Sequence, residues 1–208
     1  MNEPMPPQVK DQFPETWDTL AAYADMLAEE GELRGLIGPR ELPRLWSRHI
    51  LNCTAINGFI DDGAAVADVG SGAGLPGIVL AITRPDLEVT LIETMERRTD
   101  WLHDVVDSLV LENVRVIRAR AEEVHGKEQF EVVTARAVAA LDKLMRWTLP
   151  LLRPGGALVA LKGERAQEEL EAALKVRRKF KVTESMVKEV PSLVGDEIPT
   201  RVVVIRKP

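Results

Sequence analysis

The sequence predicts an α/β fold: a seven-stranded, mostly parallel sheet whose last strand is antiparallel, preceded by an N-terminal helical extension. Three observations predict it. From Ala64 onward, short β-branched runs alternate with amphipathic helical stretches. A glycine-rich turn separates the first such strand from its helix, at Gly70, Gly72, Gly74 and Gly77. The last two strand candidates, Lys181–Val190 and Arg201–Arg206, are joined by a loop with Gly195 and Pro199 that is too short for a crossover helix, so they must pair antiparallel.

The elements follow in order. Residues 1–62 form the extension, with a first helix from about Pro14 to Glu30, apolar at Trp17, Leu20, Ala21, Ala24 and Leu27 and stopped by Gly31. A second helix spans about Arg40 to Ile56. Its apolar face holds Leu42, Leu45, Trp46, His49, Ile50 and Cys53, while Arg40, Arg44 and Arg48 recur every four residues on another face. Residues 63–208 then form the sheet domain. Ala65–Val69, Glu88–Ile92, Val114–Arg118, Glu131–Thr134 and Ala157–Leu161 read as strands, the last after an Arg153-Pro154-Gly155-Gly156 turn. Helices are expected at Pro76–Ile82, around Trp101 to Leu109, at Leu141–Leu149 and near Ala166–Val176.

Composition bounds the function. The 208 residues are 45% hydrophobic and 29% charged, with mean hydropathy −0.08, which excludes disorder, collagen and membrane spans. Cys53 is the lone cysteine, so a reducing compartment and no metal cluster are expected. The first fifteen residues carry Pro4, Pro6, Pro7 and acids where a signal peptide needs a basic then apolar stretch, and the expected location is cytoplasmic. The net charge of −6 is uneven: residues 1–62 carry 11 acids against 5 bases, and residues 63–208 carry 22 of each. The acidic sum therefore does not exclude an RNA partner.

The run Asp68 to Gly77 sits where an open α/β sheet binds its ligand. Gly72, Gly74 and Gly77 fit G-x-G-x-x-G, and Glu93 at the tip of the second strand lies 19 residues beyond Gly74, so a dinucleotide is formally permitted. Asp68 argues otherwise: its carboxylate would repel a pyrophosphate and attract the ammonium of S-adenosylmethionine. The seven-stranded sheet with a terminal hairpin resembles the class I methyltransferase fold.

Several motifs in order and spacing resemble the bacterial 16S ribosomal RNA small-subunit methyltransferases of type G, which methylate guanine N7. They are Arg48-His49-Ile50-Leu51, Asp68 to Gly77, Arg97-Arg98, Ala121-Glu122, Ala135-Arg136-Ala137, Leu161-Lys162-Gly163 and Arg201-Val202-Val203-Val204-Ile205. The resemblance implies that Gly70, Leu75, Ala121, Glu122 and Arg136 contact S-adenosylmethionine, and that the target is the guanine at position 527 of 16S RNA. Asp68, Ser71, Gly72, Gly74 and Glu93 complete the expected cofactor set. The chain departs from the family at Arg34-Gly35-Leu36-Ile37-Gly38, where the family usually has an Asn-Leu-Thr stretch.

Guanine N7 owns a free lone pair and loses no proton on methylation, so no catalytic base is required. Thr134-Ala135-Arg136-Ala137 stands where exocyclic-amine methyltransferases resemble Asn-Pro-Pro-Tyr, and Cys53 sits on an apolar helix face, away from nucleophilic duty. Arg136, Lys162 and Arg201 are candidates for positioning the substrate, against the plainer reading that Arg136 and Lys162 cap their strands in solvent. Arg40, Arg44, Arg48, Arg97 and Arg98 are candidates for RNA contact, as is the basic run Lys175, Arg177, Arg178, Lys179 and Lys181. His49 reads as a satisfied core histidine, and His103 and His125 have no constellation around them. The expected partner is 16S RNA or the small ribosomal subunit, with no membrane, and a monomer is expected. An NAD-dependent oxidoreductase and a non-catalytic RNA-binding module that retains the cofactor are the competing readings.

Overall fold

The computed structural model describes residues 3–194 and 198–208. Met1 and the expected loop residue Gly195 lie outside them. A short helix α1 (Gln8–Gln12), which the sequence did not suggest, precedes α2 (Trp17–Glu30). The expected start of α2 at Pro14 is three residues early, because Thr16 rather than Phe13 flanks the first helical residue.

The expected second helix is not one helix. Residues Leu42–Arg44 form a 3₁₀ turn, Leu45–Ile50 a π-helical stretch and Leu51–Thr54 the α-helix α3. The cause is distant in sequence. The backbone N–H groups of Trp46 and Ser47, which an α-helix would spend on Leu42 and Pro43, donate instead to one Glu3 carboxylate oxygen at 2.8 and 3.0 Å. The winding restarts there, so Arg40, Arg44 and Arg48 remain exposed but do not lie on one α-helical stripe. Trp46 is buried and offers no stacking platform.

The sheet domain runs β1 (Ala65–Val69), α4 (Gly77–Thr83), β2 (Glu88–Glu93), α5 (Glu96–Ser108), β3 (Val114–Arg118), α6 (Ala121–Val124) and β4 (Phe130–Arg136). It continues with α7 (Leu141–Thr148), β5 (Leu152–Lys162), α8 (Ala166–Ala172), α9 (Leu174–Lys179), β6 (Glu184–Val190) and β7 (Thr200–Arg206). The strand order is β3-β2-β1-β4-β5-β7-β6. β7 inserts between β5 and β6 and is antiparallel to both, so it alone runs against the others.

Three boundaries correct the sequence reading. Arg153-Pro154-Gly155-Gly156 is not a turn before β5 but a bulge inside it: Leu152 already pairs with Phe130, and the register resumes at Ala157 opposite Val132. Gly155 takes φ +77° there, which glycine adopts without strain. The single helix expected over Ala166–Val176 breaks at Ala173 into α8 and α9. β6 starts at Glu184 rather than Lys181, since Lys181 is left-handed at φ +53°.

Helix α4 explains how the N-terminal segment docks. Residues Gly77 to Ile82 are all buried, and a helix apolar all round must be covered on both sides. The sheet covers one side. Leu20, Tyr23 and Leu27 of α2, with Ile50, Cys53 and Ile56, join α4 in the same hydrophobic core and close the other. Each fully buried Leu or Ile contributes about 1.5–3 kcal/mol. The second core, on the opposite face, gathers α7, α8 and α9.

Candidate functional site

The strand order reverses between β1 and β4, and the ends of β1, β2, β3 and β4 open a cleft of about 640 Å³ at that point. That size suits a small organic cofactor. The turn after β1 is left-handed three times, with φ +73° at Gly70, +57° at Gly72 and +101° at Gly74. A Cβ at Gly72 would meet no protein atom closer than 3.8 Å, so the room beside this cleft-lining residue is free for a ligand. A Cβ at Gly77 would stand 2.3 Å from Leu91 and 2.6 Å from Asp68, so this glycine lets α4 lie against β1 and β2.

Glu93 closes the turn. Its carboxylate accepts from the N–H of Gly72 at 2.9 Å on one oxygen and from those of Thr94 and Met95 at 2.7 and 3.0 Å on the other. The group is nearly fully buried yet lines the cleft, with Arg98 Nη1 at 3.7 Å. Nε of Arg98 is buried without a hydrogen-bond partner, an N–H donor left at the cleft wall. Ala73 also lines the cleft, and its carbonyl accepts from buried Tyr23 Oη at 2.9 Å and buried Trp101 Nε1 at 2.8 Å. A free wall, an unspent donor and an acid at the strand tip fit a cofactor with ribose hydroxyls and a carboxylate.

Asp68 is placed otherwise than the ammonium argument supposed. It is wholly buried beneath the turn and does not line the cleft; one oxygen accepts from Gly77 N–H at 3.0 Å and the other has no partner. Burial pushes its pKa up to about 7, against the opposing pull of the Gly77 hydrogen bond. Gly74 is also turned away, packed towards Ile78 and the Tyr23 hydroxyl. Gly70, Ser71, Gly72, Leu75, Glu93, Ala121, Glu122 and Arg136 all line the cleft.

Sequence reasoning missed part of the wall. Leu36, Ile37 and Gly38, the segment that departs from the family pattern, line the cleft with Glu41, His49 and Trp147. His49 is therefore satisfied but not in the core. Its Nε2 lies 2.9 Å from Glu41, and its Nδ1 lies 3.1 Å from Arg136 Nη2. The Arg-His-Ile-Leu motif carried that signal. Burial, then the Arg136 charge, lowers the His49 pKa from its ordinary value, which favours the neutral imidazole. Cys53 donates to the His49 carbonyl at 2.9 Å, and burial lifts its thiol to about 11. His125 reaches the Trp147 carbonyl at 2.7 Å.

A second depression of about 550 Å³ lies beside the cleft and is lined by Arg48, Asn52, Lys162, Thr200 and Arg201. Arg136, Ala137 and Val138 line both the cleft and a smaller hollow that reaches Asn52 and Lys162. Lys162 is neither free nor a solvent cap: its ammonium donates to the Ala139 carbonyl at 2.6 Å and to Glu169 at 2.7 Å. Arg201 pairs with Glu189 at 3.1 Å across the β6–β7 ladder. Arg44 meets Glu41 at 3.4 Å, and exposed Arg97 covers the loop at Gly35. Arg40 and the run Lys175, Arg177, Arg178, Lys179 and Lys181 line neither depression.

The comparisons agree with this geometry. Residues 16–197 match the model of the family described as rRNA small subunit methyltransferase G. The chain is 60% identical over 164 residues to the Ribosomal RNA small subunit methyltransferase G of Thermobifida fusca, covering 79% of this chain and 69% of the relative. It is 48% identical over 205 residues to the protein of that name from Corynebacterium glutamicum strain R, covering 97% and 92%. An S-adenosylmethionine-dependent O-methyltransferase from Thermotoga maritima shares the fold at TM-score 0.56 and 14% identity, over 87% of this chain and 71% of that one. No helix among the described residues is long and apolar enough to cross a membrane. The oxidoreductase and binding-module readings have no support. The chain belongs to the rRNA small subunit methyltransferase G family, which makes it an S-adenosylmethionine-dependent methyltransferase of ribosomal RNA.

Proposed function

We propose that this rRNA methyltransferase binds S-adenosylmethionine in the cleft at the glycine turn and methylates N7 of a guanine in 16S RNA, position 527 in the standard numbering. When bound, the cofactor supplies an electrophilic methyl group. Gly70, Ser71, Gly72 and Leu75 border it on the side of β1, Glu93 faces its ribose, and Ala121 and Glu122 border it from the end of β3. Arg136, on the wall shared with the neighbouring hollow, faces the acceptor side, while Arg48, Lys162 and Arg201 border the approach of the RNA. The segment 1–62 belongs to the site through Leu36 to Gly38, Glu41 and His49. We read the protein as a cytoplasmic monomer acting on 16S RNA or the small subunit.

One observation carries the choice of atom. Among the described residues lining the cleft, His49 is the one neutral nitrogen base, and its Nδ1 lone pair already accepts from Arg136. The one nitrogen base of the cleft is thus spent on holding Arg136, which suits an acceptor that brings its own free lone pair. Labelled methyl transfer to small-subunit RNA, followed by borohydride and aniline cleavage, tests this. Strand scission at guanine 527 is expected. Label at another atom or another nucleotide overturns the assignment.

A further inference from the structure

Arginine has five N–H donors and no acceptor, so the 3.1 Å contact between Arg136 Nη2 and His49 Nδ1 makes Nδ1 the acceptor. The ring proton is then on Nε2 and donates to Glu41 at 2.9 Å. Arg136 Nη1 lies 3.5 Å from the His49 carbonyl oxygen as well, so one guanidinium grips both the ring and the peptide of a single residue. Glu41 and His49 come from the N-terminal segment, and Arg136 comes from the end of β4. All three line the cleft.

We infer that His49 is a positioning residue: held by Glu41 in the Nε2-protonated tautomer, it fixes the Arg136 guanidinium at the boundary between the cofactor cleft and the neighbouring hollow. This rests on the proposed reading of the cleft. A flexible arginine at the end of a strand samples many rotamers, and a two-point contact with a rigid ring selects one. The N-terminal segment is thereby part of the active geometry, although it carries no glycine turn and no cofactor motif.

A double-mutant cycle on the full-length protein tests the inference, read by single-turnover methylation and by calorimetric affinity for S-adenosylhomocysteine. His49→Ala and Arg136→Ala are each expected to change the same one of these two quantities. A misplaced guanidinium costs about 10- to 100-fold. The double variant should be no worse than Arg136→Ala, and His49→Gln, which both accepts and donates, should recover most of the loss. Should His49→Ala not fold, His49→Phe fills the space without accepting and enters the cycle in its place. Multiplying losses, or a silent His49→Ala beside an impaired Arg136→Ala, overturn the inference and leave the cleft assignment standing. A silent Arg136→Ala overturns both, since no placed group is left for His49 to hold.

Discussion

The hydroxyl of Tyr23 donates a 2.9 Å hydrogen bond to the carbonyl of Ala73, so a helix fifty residues upstream holds the glycine turn that lines the cleft. Tyr23 is fully buried, and Trp101 supplies the second donor to the same oxygen. Tyr23→Phe keeps the ring and removes one buried bond, which costs about 0.5–1.5 kcal/mol. Urea unfolding should show that loss, and calorimetry should show weaker binding of S-adenosylhomocysteine. Unchanged affinity would mean that the turn keeps its shape on Trp101 alone.

Glu93 is both a ligand candidate and the clasp of the turn. Glu93→Ala removes acceptors from the N–H groups of Gly72, Thr94 and Met95, so cofactor affinity should fall by about 1.5–3 kcal/mol and stability should fall with it. Glu93→Gln keeps most of the shape and isolates the charge. Full affinity in Glu93→Ala, measured by calorimetry, would remove Glu93 from the site.

Lys162 ties the loop after β4 to α8 through Ala139 and Glu169, and Glu169 in turn accepts from the Leu141 N–H at 2.8 Å. Lys162→Ala is expected to lose methylation because the loop beside Arg136 shifts, and to destabilise the fold by about 1–3 kcal/mol. Lys162→Ala and Glu169→Ala should be non-additive in denaturation. Full activity in Lys162→Ala would confine the contact to stability.

Asp68 gives a pH signature. Its folded pKa of about 7, raised by burial, exceeds the unfolded value, so the folded state binds more protons between about pH 4 and 7. Stability contributed by the protonated group is present below pH 4 and is lost as pH rises to about 7. The stability of the natural chain minus that of Asp68→Asn should therefore decline across this window and level off above it. A difference that does not vary with pH would show that Asp68 stays ionised.

Much of the sheet was legible because buried strands write themselves locally. Ala65–Val69 and Val114–Arg118 match their expected bounds, and the glycine turn and Glu93 fell where the strand tips require. What was not legible depends on partners distant in sequence. The rewinding is set by the Glu3 carboxylate, 43 residues from Trp46, and the burial of Asp68 depends on how α4 packs against the sheet, which the missing side chain of Gly77 permits. Arg153 to Gly156 has turn chemistry, yet its flanks pair with β4 and make it a bulge. His49 looked like a core residue because its neighbours on the helix face are apolar, whereas its polar partners come from Glu41 and from β4.

The rate of methyl transfer as a function of pH tests most directly whether the cleft works by position alone. In a single turnover with cofactor and RNA saturating, the proposed acceptor, guanine N7, would offer its lone pair throughout the neutral range and need no side chain to take a proton. The rate should vary by less than about threefold between about pH 6.5 and 9. His49→Gln should introduce no new step in this profile. A tenfold rise across the range, abolished in His49→Gln, would make His49 a general base and contradict a mechanism built on position.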